Sequence, residues 1–89
     1  MMQQEAISIP LDQLPEEGWA TVTGVDVPTL AADRSLVLRL LELGFVPGER
    51  VQIVREGRPG GDPLAVRLGH TTFALRRSEA AFIQVTPLR

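Results

Sequence analysis

The chain has 89 residues, a net charge of −2 and no cysteine. At that length one small domain is expected. The absence of cysteine excludes a disulfide framework, a thiolate metal site and a cysteine nucleophile together. The slightly acidic balance argues against a nucleic-acid footprint.

Residues 1–10 read as weakly ordered, except that Ile7 and Ile9 alternate as if on a core edge. The start "MMQQEAISIPLDQLP" has neither the basic n-region nor the apolar core of a signal peptide. No apolar run approaches the ~18–20 residues of a membrane span, so a cytoplasmic protein that is not itself membrane-inserted is expected. "PLDQLPEEG" is punctuation, with room for one helical turn at Leu11–Leu14. "WATVTGVDV" (Trp19–Val27) is rich in β-branched residues and predicts a first strand, with Gly24 marking a bulge or bend.

The period then changes. Leu36, Leu40 and Leu43 fall at i, i+4 and i+7, with Val37 and Leu41 beside them and Asp33, Arg34, Ser35, Arg39 and Glu42 on the other face. That pattern predicts an amphipathic helix of about ten residues, capped by Asp33 or Ser35 and stopped by Gly44 in the left-handed conformation. "VPGE" (Val46–Glu49) fits a type II turn, with Pro47 and Gly48 at its centre.

"RVQIVRE" follows as a second strand and "GRPGGDP" as a flexible hairpin loop. "LAVRLG" is a third strand, and Gly69–His70 suits a two-residue turn into a fourth, "TTFALR". "RSEAAF" predicts one helical turn capped by Ser78, and Ile83–Val85 a fifth strand. The architecture expected is mainly β: a small, partly open SH3-like barrel of about five strands with an inserted α-helix. It is read as a single domain over residues 1–89, with 1–17 as an N-terminal lead and 18–86 as the barrel core.

Chemistry is sparse. His70 is the one histidine and has no partner at a metal-ligand spacing, nor an orienting group for a nucleophile. Glu16–Glu17 and Asp62 read as loop residues. "EGRPGG" is not a phosphate-binding loop, because it lacks the Gly-Lys-Ser/Thr ending and the strand-to-helix setting. Three Phe, one Trp and no Tyr leave neither a stacking platform for nucleic acid nor a polyproline groove. No enzyme activity, no cofactor and no metal site are expected. What stands out is surplus apolar surface around the helix: Leu30, Leu38 and Phe45, with Arg39 and Glu42 beside them, form a candidate contact patch for a protein partner.

The run "GWATVTGV … RLLELGFVPGERVQIV … GDPLAVRLGHTTFALRRSEAAFIQV" (Gly18–Val85) resembles the FeoA family of bacterial ferrous iron uptake. The motif positions that carry the resemblance include Leu40, Gly44, Pro47, Gly48, Leu75, Arg76, Glu79 and Ala80. It implies an SH3-like fold and a non-catalytic accessory role. It also implies a partner, the FeoB permease with its cytoplasmic GTPase domain. Transition-metal binding belongs to the family description, but no ligand set in these residues supports it. The same domain occurs in metal-dependent repressors, so a metal- or peptide-sensing module is the alternative. With no helix-turn-helix region upstream, a free-standing transport accessory is the better match. Whether the chain forms a homo-oligomer is left open.

Overall fold

The computed structural model describes residues 7–88, so readings that fall on residues 1–6 lie outside it. In chain order the elements are β1 (Ile9–Pro10), a 3₁₀ turn (Leu11–Gln13), β2 (Trp19–Val25), α1 (Ala31–Leu43), β3 (Arg50–Glu56), β4 (Leu64–Leu68), β5 (Thr71–Leu75), α2 (Arg77–Ala80) and β6 (Ile83–Pro87). Six antiparallel strands form one sheet in the order β1-β6-β2-β3-β4-β5. The mainly β, SH3-like fold with an inserted helix is therefore present, but the expected barrel does not close. β1 and β5 remain opposite edges, unjoined by hydrogen bonds. Two features keep them apart. β1 is two residues long and one of them, Pro10, has no N–H to donate. Helix α1 lines the space beside β5.

The strands alternate as a half-buried sheet demands. Ala20 and Val22, Val51 and Ile53, Leu64, Val66 and Leu68, and Ile83 and Val85 all point inward and are buried. Val37 and Leu40 of α1 are buried as well, with Leu36 and Leu43 partly buried against the core. The N-terminal lead is not peripheral. Ile9 and Pro10 pair with Val85 and Gln84, and Leu11 and Leu14 are core residues. The alternation of Ile7 and Ile9 holds only for Ile9, since Ile7 is exposed.

Between Val22 and Gly24 the β2–β6 register shifts. This is the bulge that a glycine inside a strand signals. Two turns carry the hand-off from α1 to β3. Gly44 ends the helix at φ 114°, where its N–H donates to Leu41 O at 3.0 Å and Phe45 N–H to Leu40 O at 3.1 Å. Pro47 and Gly48 then occupy a turn closed by Glu49 N–H to Val46 O at 3.1 Å, with Gly48 at φ 96°. A residue with a Cβ tolerates neither φ well.

Both helix starts differ from expectation. α1 runs thirteen residues, and its N-cap is Leu30, with no side-chain cap. Neither Asp33 nor Ser35 caps it: both lie inside the helix, past its first residues. At α2 the cap is not Ser78 either. Arg76 N–H donates to the Glu79 carboxylate at 2.8 Å and Arg77 N–H to the Asp62 carboxylate at 2.9 Å. Two carboxylates outcompete a hydroxyl for these free amides because charge-assisted hydrogen bonds are stronger.

Candidate functional site

Helix α1 interrupts the strand order between β2 and β3 and buries only one stripe, so its other sides face outward. Adjacent helical residues lie about 100° apart, and this splits the candidate patch in two. On one flank, Leu38 and Leu41 face Val25, Val27 and Pro28 across an apolar groove of about 340 Å³, with Val37 as its floor. Leu38 is 60% exposed, Leu30 65% and Val27 89%. Glu42 is exposed one turn beyond Leu38. On the other flank, Arg39 lines a separate cavity with Leu36, Leu40 and Leu43 of α1, Phe73 to Leu75 of β5, and Glu79.

Phe45 belongs to neither surface. It is 0% exposed and packs against Phe73 with ring centroids 5.8 Å apart and planes tilted by 56°. The left-handed turn at Gly44 reverses the chain and drives the next side chain inward. Phe45 is thus a core residue rather than a partner contact.

The motif residues are distributed by structural task. Leu40, Leu75 and Ala80 are buried. Gly44, Pro47 and Gly48 make the two turns. Arg76 contributes its backbone amide, and Glu79 receives it. Arg39 and Glu79 share a cavity, yet Arg39 makes no ion pair among the described residues.

The groove wall formed by Val27 and Pro28 was not legible from the sequence, where Val27 reads as the end of the first strand. Its signal was the proline: the residue before a proline is held extended, which leaves Val27 outside the ladder and its side chain in solvent. Arg77 was missed entirely. Its guanidinium donates to Gly61 O at 2.8 Å and to Asp12 O at 2.7 Å, and pairs with Glu56 at 3.2 Å.

Among the described residues no group of three or more His, Asp or Glu side chains converges as a metal site would require. Glu16 instead accepts the Glu56 N–H at 3.1 Å, Asp62 caps α2, and His70 is exposed in its turn. No described helix is long and apolar enough to cross a membrane.

The structure is a small SH3-like β fold with an inserted, partly uncovered helix. The chain belongs to the FeoA domain family, whose sequence profile matches residues 9–87. It is a small, non-catalytic accessory protein of bacterial ferrous iron transport. It is 42% identical to FeoA of Stenotrophomonas maltophilia, solved in complex with zinc and described as a prokaryotic SH3 domain protein. That match has a TM-score of 0.77 and covers 94% of this chain and 98% of the other. It is 30% identical to a FeoA-like protein of Clostridium acetobutylicum, with TM-score 0.77 over 97% of this chain and 92% of the other. A manganese-dependent transcriptional repressor shares the fold at 17% identity, with TM-score 0.74 over 96% of this chain and 44% of the repressor. No curated protein sequence matches.

Proposed function

We propose that this protein acts in the cytoplasm as a regulatory partner of the FeoB permease, and that α1 with its apolar groove is the surface it presents. The observation that carries this reading is the uncovered apolar wall formed by Leu38, Leu30 and Val27 beside the groove. Interfaces are built around such an apolar centre with a polar rim, and Arg34 and Glu42 are placed to supply that rim. Family membership supports the choice of the permease as the partner. The alternative, a metal-sensing module like that of the repressors, has only fold likeness behind it and no converging ligand set among the described residues.

The test is binding of the purified protein to the full-length permease in detergent or nanodiscs, with Leu38→Asp as the probe. Burying an unpaired carboxylate in an apolar contact should weaken binding by about 2 kcal/mol or more. The melting temperature should hold, because Leu38 is largely exposed already. Unchanged affinity would remove α1 from the interface.

A further inference from the structure

The free edge of β5 is the second unpartnered feature of this molecule, and its backbone states what fits it. The turn at Gly69–His70 pairs Leu68 with Thr71, and the register runs on through Arg67–Thr72, Val66–Phe73, Ala65–Ala74 and Leu64–Leu75. Hydrogen-bonded and non-hydrogen-bonded pairs alternate along an antiparallel ladder. Since the tight turn closes on a hydrogen-bonded pair, Thr71, Phe73 and Leu75 bond to β4. The N–H and C=O of Thr72 and Ala74 point away from the sheet. Among the described residues nothing accepts from or donates to them.

Natural edge strands carry charges, proline, bulges or great shortness to prevent pairing. β1 has two of these, being two residues long and containing Pro10. β5, "TTFAL", has none over five residues, and the register shifts fall in the β2–β6 and β3–β4 pairs instead. The edge borders a cavity of about 310 Å³, walled on its far side by Leu36, Leu40 and Leu43 of α1 and flanked by Arg39 and Glu79. The volume is at the small end of ordinary binding pockets, ~300–1,000 Å³.

We propose that β5 receives an extended segment of a partner chain as a seventh strand. An apolar side chain of that segment enters the cavity beside Phe73, and a carboxylate pairs with Arg39. Extended backbone satisfies the outward groups of Thr72 and Ala74 as a folded surface does not. The identity of the partner rests on the proposed link to the permease; the geometry of the edge does not.

The experiment uses overlapping synthetic peptides that cover the cytoplasmic segments of the permease, titrated into the isotopically labelled full-length protein. One peptide should bind and protect the Thr72 and Ala74 amides from exchange. Ala74→Pro should weaken that peptide about tenfold or more, since it deletes an outward donor while costing no β4–β5 hydrogen bond. Thr72→Pro is the second variant should Ala74→Pro fail to fold. Leu38→Asp should leave the peptide's affinity unchanged. The proposal is overturned if protection falls on the α1 groove, or if both proline variants bind like the parent. It is also overturned if the edge amides are protected without peptide by a dimer that the proline variants dissolve. If no peptide binds while the whole permease does, strand addition is wrong and the functional reading stands. If neither binds, both are wrong.

Discussion

Arg77 offers the sharpest test of how this fold is held. Its guanidinium bridges three segments distant in sequence: Gly61 O in the β3–β4 loop at 2.8 Å, Asp12 O in the 3₁₀ turn at 2.7 Å, and Glu56 at the end of β3 at 3.2 Å. Hydrogen bonds to a charged group contribute ~1.5–3 kcal/mol each. The ion pair adds little, ~0–1 kcal/mol, because both side chains remain about a third exposed. Water partly replaces the lost donors, so Arg77→Ala should cost about 2–4 kcal/mol. At ~4–8 °C per kcal/mol for a domain of this size, the melting temperature should fall by on the order of 10–30 °C. Arg77→Lys separates geometry from charge: an ammonium reaches at most one of the three acceptors and should lose most of the same stability. Glu56→Gln should cost under ~1 kcal/mol. Thermal and denaturant melts of the three variants decide the matter. A lysine variant as stable as the parent, or an alanine variant within ~0.5 kcal/mol of it, would refute the bridging role.

Two further outcomes concern the turn after α1. Gly44→Ala should cost about 1–3 kcal/mol, because φ is 114° and the new Cβ would stand 3.2 Å from Leu68 Cδ2. Gly48→Ala, with open space around it and φ 96°, should cost only ~1 kcal/mol; equal denaturant midpoints for the two would discount the Leu68 contact. Phe45→Ala should cost about 3–5 kcal/mol in the same assay, and a near-neutral result would place Phe45 outside the core.

Local chemistry made most of the architecture legible. The period change at Leu36, the stop at Gly44 and the Pro47–Gly48 turn are dictated by neighbours within a few residues, and the structure contains all three. What escaped depends on contacts across the chain. Proline and acidic residues mask β1. The helical turn expected at Leu11–Leu14 is present, but its burial of Leu11 arises only when β6 returns to pair with Ile9. Asp62 reads as loop punctuation until α2 arrives to be capped. The candidate patch was half legible. Leu30, Leu38, Arg39 and Glu42 are exposed, as the helical pattern requires, but Phe45 is hidden by a reversal of direction that a linear pattern does not encode.

The division of labour on α1 follows from these placements. The core takes Val37 and Leu40 fully and Leu36 and Leu43 in part. That stripe holds the most deeply buried side chains of the helix. Leu38 and Leu41 widen the apolar arc beyond what the core covers, and the part of each left in solvent adds no stability to an isolated domain. The helix therefore carries apolar surface suited to contacts outside the chain. Arg39, one residue from Leu38, faces a different cavity. A partner on the Leu38 groove and a strand on the β5 edge would therefore meet different flanks of the same helix.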